Sequence, residues 1–151
     1  MKWPLVALLA LLVVPGCGSE PAGLDSDQAE LRWGSSFGMC GGYCRRELEI
    51  SRGGMRLTTS SWDPAHYPTK VEERPLPAGA WDALDAALRQ SQLERLDSVY
   101  GCPDCADGGA EWVELAAPDL KKRVAFEYGK APSPLQPLLD RIVELRAQFP
   151  Q

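Results

Sequence analysis

Five cysteines hold most of the reactive chemistry in this 151-residue chain, and four of them form two close pairs, Cys40-Gly-Gly-Tyr-Cys44 and Cys102-Pro-Asp-Cys105. Thiols at these spacings can do three things. They can oxidise to structural disulfides. A Cys-x-x-Cys pair can exchange disulfides if a helix N-terminus or a cation stabilises its thiolate. Four thiolates together can hold a zinc ion. The neighbouring residues favour the first. CPDC runs into Ala106-Asp107-Gly108-Gly109, which reads as a turn and not a helix. Asp104 and Asp107 add negative charge beside the thiols and would disfavour a thiolate. The thiol–disulfide and zinc readings stand as alternatives.

Other catalytic constellations are thin. His66 is the only histidine, it sits in a proline-rich stretch, and the chain has no Gly-x-Ser-x-Gly motif. A Ser/His/Asp triad is therefore not expected, and no catalytic residue is assigned. The carboxylate pairs Glu47/Glu49 and Glu72/Glu73 read as solvated strand or loop charges. Asp104 and Asp107 lack the Asp-x-Asp-x-Asp-Gly spacing of a calcium loop. Neither a metal ligand set nor a cofactor is assigned. Trp33, Trp62 and Trp112 could line a groove, but on alternating strands they read first as packing. Trp112 stands out because it shares its strand face with Glu114 and not with Val113 and Leu115.

The fifth cysteine, Cys17, closes an apolar leader. Lys2 precedes the apolar run Leu5 to Val14, which at ten residues is too short for a bilayer core needing about 20 helical residues. That is the size of a signal-peptide core. Val14-Pro15-Gly16-Cys17 resembles a bacterial lipobox, after which Cys17 would become the lipid-bearing first residue, although Pro15 departs from the common pattern. The expected organisation is a signal peptide over 1–16, a lipidated tether over 17–29 and one domain over 30–151. Gly18 in place of Asp after Cys17 points to the outer membrane, facing the periplasm. One acyl chain anchors weakly, and stable attachment takes two or more.

With 16 basic and 21 acidic side chains the chain carries −5, and loss of Lys2 with the leader leaves 15 against 21, or −6. An acidic domain without a basic cluster is a poor fit to nucleic acid, whose phosphates demand several Lys or Arg. The runs Lys121 to Arg123 and Arg45-Arg46 read as solvated faces.

In an exported chain the compartment is oxidising, so Cys40, Cys44, Cys102 and Cys105 are expected as disulfides. Four cysteines allow three connectivities. Crossed pairs would close loops of roughly 60 residues, worth about 4 kcal/mol by chain entropy against about 2 for local pairs. Local geometry argues the other way. Gly41 and Gly42 permit a tight turn, and Pro103 presets another. The reading favours Cys40–Cys44 and Cys102–Cys105, with crossed pairs left open.

The elements that position these cysteines read as follows. Leu31 to Gly38 is a strand, and Arg46 to Ser51 alternates with Leu48 and Ile50 on one face. Arg52-Gly53-Gly54 turns the chain into a strand over Met55 to Trp62. Asp63 to Pro77, with four prolines, reads as a loop. A helix starts at Pro77 with the stripe Trp81, Leu84, Leu88, Leu93 and Leu96. Val99 to Gly109 is a cysteine-bearing loop. Glu111 to Ala116 and Arg123 to Tyr128 are strands around Pro118-Asp119. Ser133 reads as the N-cap of a last helix, with Pro134 at N1 and Gln136 at N3. Its stripe is Leu135, Leu138, Leu139, Ile142, Val143 and Phe149. The expected fold is α+β: an antiparallel sheet from two β-hairpins, with two amphipathic helices on one face.

Phe37-Gly38-Met39-Cys40-Gly41-Gly42-Tyr43-Cys44, with the strand Glu47 to Ser51, resembles a small family of uncharacterised bacterial envelope lipoproteins. Those domains carry a Cys-x-Gly-x-Cys turn opening a β-hairpin and a proline-led C-terminal helix. Here Gly42 stands one place later than in that pattern, and Arg45 replaces the usual proline. The resemblance implies a cell-envelope location and a compact α+β fold, and brings no activity. It adds to the case for local pairing. The function expected is a non-enzymatic binding or structural domain, attached to the membrane by its lipid, with an envelope protein as partner.

Overall fold

The computed structural model describes Leu24 and residues 27–150, so the leader and Cys17 lie outside the described residues. It is α+β, with a seven-stranded, mostly antiparallel sheet and two α-helices. The strands are β1 (Glu30–Ser36), β2 (Tyr43–Ser51), β3 (Gly54–Ser61), β4 (Lys70–Arg74), β5 (Val99–Tyr100), β6 (Ala110–Ala117) and β7 (Leu120–Glu127). Their spatial order is β4-β3-β2-β1-β6-β7-β5. Only β5, against β7, runs parallel.

The sheet is wider than two hairpins would make it. β1 lies at its centre, bonded to β2 on one side and β6 on the other. β4 falls inside the stretch expected as a proline-rich loop, and β5 inside the cysteine loop. Both are edge strands, each bonded to one neighbour. An edge strand tolerates flanking prolines and charged side chains because one side of its ladder stays open.

Period-2 alternation sets the core. Leu31 and Trp33 lie opposite Ile50 and Leu48 in β2, and opposite Leu115 and Val113 in β6. All six are buried, and they share one apolar cluster with Leu84 and Leu88 of α1 (Ala80–Ser91) and Leu138 and Ile142 of α2 (Gln136–Arg146). Leu24 and Ala29 also belong to this cluster. The Leu24 carbonyl accepts the Trp81 indole N–H at 3.2 Å, and its own N–H donates to Asp85 at 2.6 Å.

The helix boundaries depart from expectation. α1 ends at Ser91 because Gln92 takes φ +47°, so Leu93 packs from a short 3-10 turn rather than from the expected continuous stripe. Ser133 does not cap α2. It opens a 3-10 turn, Ser133–Leu135, that has no side-chain cap. Gln136 instead donates to Asp140 on the outer side of the helix. Val143, expected in the stripe, is 54 % exposed, while Leu145 takes the buried place.

Candidate functional site

Both cysteine pairs close locally, Cys40 with Cys44 and Cys102 with Cys105, at Cα separations of 5.7 and 5.5 Å. Both distances fall within disulfide reach. The four sulfurs are thus spent in two bonds rather than gathered as a four-thiolate set. Among the described residues no group of three or more His, Cys, Asp and Glu side chains is placed to hold a metal.

The two loops lie at the same end of the sheet. The first joins the end of β1 to the start of β2, and the second runs into β6. Gly38 donates its N–H to Asp104 at 3.2 Å, linking them directly. Phe37 from the first loop packs against Tyr128, beyond β7, with centroids 4.7 Å apart and the rings tilted by 57°.

Their settings differ. Cys44 is buried, and its carbonyl accepts the Phe37 N–H at 3.1 Å, closing the loop onto the strand ladder. Gly42 turns the chain at φ +89°, a conformation that side chains disfavour. Cys102 and Cys105 are both exposed. Their loop holds Asp104, Ala106 and Asp107 at φ between +51° and +61°. It is tied down by Cys102 N–H to Glu127 Oε1 at 2.9 Å and by Asp104 N–H to the Gly109 carbonyl at 3.0 Å. The Lys130 ammonium, 2.5 Å from Glu127 Oε2, holds that carboxyl below its ordinary pKa, and the Cys102 N–H adds to the effect.

The segment after β3 packs over the first loop. Trp62, 58 % exposed, donates its indole N–H to the Phe37 carbonyl at 2.7 Å. Tyr43 meets Tyr67 edge to face at 5.9 Å, and Lys70 stands 4.3 Å over the Tyr43 ring. His66 pairs with Asp63 at 2.6 Å on the exposed surface.

The tryptophans weighed as one groove are dispersed. Trp33 is in the core, Trp62 on the surface loop, and Trp112 on the opposite side of the sheet from Val113. Trp112 is buried there beneath Arg123 and Arg45, 4.5 and 5.5 Å from its ring centroid. Gly34 makes the room, since a Cβ at that position would lie inside the indole. Beside it Glu114, 6 % exposed, is ringed by Lys121, Arg32 and Arg123 at 3.5–3.8 Å. Trp112 and Glu114 sharing a face was readable from alternation, but the three cations come from strands on both sides. The weighed carboxylates are also ion-paired: Glu47 with Arg45, Glu49 with Arg32, Glu72 with Arg74 and Glu73 with Arg56.

Compared with known proteins, the chain matches no family profile and no curated protein.

Proposed function

We propose that this chain is a lipid-anchored cell-envelope protein whose folded domain binds a partner and performs no catalysis. Cys17 is the lipidated residue in this reading, residues 1–16 the removed signal, and the outer membrane, periplasmic side, its location. The two helices cover the sheet face that carries Leu31, Leu48, Val113 and Phe126, which the shared core supports. The other face carries Trp112 under Arg45 and Arg123 and the ion pairs around Glu114.

The observation that carries the reading is the direction of β1. β1 begins at Glu30, opposite Ala116, and the chain reaches the cysteine loops only after Ser36, opposite Arg45. A strand of this length spans about 20 Å. A domain tethered through its N-terminus therefore holds its disulfide-stapled, aromatic end away from the bilayer, where a partner can reach it. Labelling with radioactive palmitate tests the anchor. Wild type should incorporate label, and Cys17→Ala should not and should accumulate as precursor. Normal processing of Cys17→Ala to a soluble form would end this reading.

One observation favours a second reading, a thiol–disulfide protein. Cys102 and Cys105 are exposed and border a cavity of about 230 Å³ that Lys130 also lines. Insulin reduction by the wild type, lost in Cys102→Ser at unchanged melting temperature, would promote it.

A further inference from the structure

A second cavity opens on the helix-bearing side of the cysteine end, with a volume of about 270 Å³. Arg46 of β2 and Arg146 of α2 reach it from different elements, and no carboxylate lines it. Among the described residues neither guanidinium has an ion-pair partner, in a chain that carries an excess of acid. Both are half-buried. Arg146 stands 4.3 Å over the Trp33 ring. Trp33 in turn donates its indole N–H to Glu111 Oε1 at 3.3 Å, and Gly129 donates to Glu111 Oε2 at 2.8 Å. Glu111, next to Ser35 in the ladder, is thus engaged by neutral N–H donors, one of them from the cavity wall itself. Ser35, opposite Arg46 in register, adds a hydroxyl. Phe37 and Tyr128 supply apolar walls, and Tyr128, 46 % exposed, stands at the rim.

A partly desolvated guanidinium without a counter-ion is costly, and its planar fork of donors matches an oxyanion. Two such forks beside aromatic walls match an anion with a flat apolar body. We propose that this cavity is a binding site for a small ring-bearing oxyanion, an aryl phosphate or aryl carboxylate, clasped by Arg46 and Arg146 with its ring against Phe37 and Tyr128. The volume sits just under the usual range for ligand sites, roughly 300–1,000 Å³, and so limits the ligand to about one ring with its charged group. The proposal concerns the folded domain and stands or falls independently of where the protein is anchored.

The test is a titration of the isotope-labelled protein, followed at the Trp33 indole N–H. The probes are phenyl phosphate and benzoate, with inorganic phosphate and benzyl alcohol as partial ligands. Saturable shifts are expected with one or both ring oxyanions, and weaker ones with each partial ligand. Losing one charge-assisted clasp should weaken binding about tenfold or more in Arg46→Gln and in Arg146→Gln. Arg45→Gln, on the other face, should bind as the wild type does. If a glutamine variant does not fold, Arg46→Lys keeps the charge without the fork and should still weaken binding. Absence of a saturable response to both ring oxyanions at millimolar concentration would overturn the proposal. So would equal affinity in folded arginine variants, or benzyl alcohol binding as tightly as phenyl phosphate.

Discussion

The two cysteine turns have nearly the same Cα separation and opposite surroundings. Cys40–Cys44 is woven into the sheet: Cys44 is buried in β2, and the loop closes through a backbone bond to Phe37. Cys102–Cys105 stands outside the ladder, both residues exposed, in a loop with three non-glycine residues at positive φ. Chain entropy alone would value two such short staples alike, at about 2 kcal/mol each. Burial and backbone conformation separate them. The first staple carries packing as well as connectivity. The second closes a loop whose backbone is itself disfavoured.

The largest separation should come from deleting each staple. Cys40→Ala/Cys44→Ala is expected to cost roughly 2–5 kcal/mol, because the bond and the packing of a buried residue go together. Cys102→Ser/Cys105→Ser should cost less, about 1–2 kcal/mol, since the freed loop also relaxes its left-handed residues. Urea unfolding of both variants measures the difference. Equal losses would mean that the two turns are equivalent and that burial of Cys44 contributes nothing.

A smaller effect, kinetic in nature, sharpens the same contrast. Limited reductant should open Cys102–Cys105 before Cys40–Cys44, because attack on a disulfide requires access to a sulfur. Timed alkylation with peptide mapping would show the order. Reduction of Cys40–Cys44 first would contradict it.

Smaller again is the backbone term. Ala106 holds φ +51°, a conformation that costs an L-residue about 1–2 kcal/mol relative to glycine's indifference. Ala106→Gly should therefore stabilise the protein, by about 0.5–1 kcal/mol once the extra freedom of the unfolded glycine is counted. Gly42→Ala, at φ +89°, should destabilise it by a similar amount. A pair of shifts with the same sign would show that positive φ does not govern these loops.

These turns also show which parts of the fold were legible. Gly42 and Pro103 marked tight closure because they act on their own neighbours. The entropic case for crossed pairs concerned the unfolded chain and carried no information about native geometry. Alternation gave the four longer flanking strands, since period 2 is imposed by a half-buried sheet. It missed β4, where Lys70-Val-Glu-Glu-Arg74 sits between prolines and earns its pairing from Arg56 and Thr58 of β3. It missed β5, two residues long, which has no period to read. Val143 was misplaced because it lies at the flank of the apolar stripe, where neighbouring packing decides exposure. The Arg46 and Arg146 cavity was illegible for a plainer reason: its cations lie a hundred residues apart and meet only through the fold.

The smallest expected effect concerns Glu127, which ties the exposed turn to the sheet by accepting the Cys102 N–H and pairing with Lys130. Its pKa lies below the ordinary carboxylate value, first through the Lys130 hydrogen bond and then through Cys102. A lowered folded-state pKa means that the folded protein holds this carboxylate charged where the unfolded chain would take up a proton. The contribution is therefore fully present above the unfolded pKa. It is lost as pH falls through the lowered folded value. The group is solvent-accessible, so screening keeps the effect on global stability slight. Its local effect should be visible instead. Between neutral pH and the acid side of the carboxylate range, the Cys102 amide should lose exchange protection and the Cys102–Cys105 bond should become easier to reduce. Cys40–Cys44 should not follow. Glu127→Gln should abolish the pH dependence at the exposed turn. A pH response persisting in Glu127→Gln would assign the titration to another group, and the link from β7 to the second staple would fail.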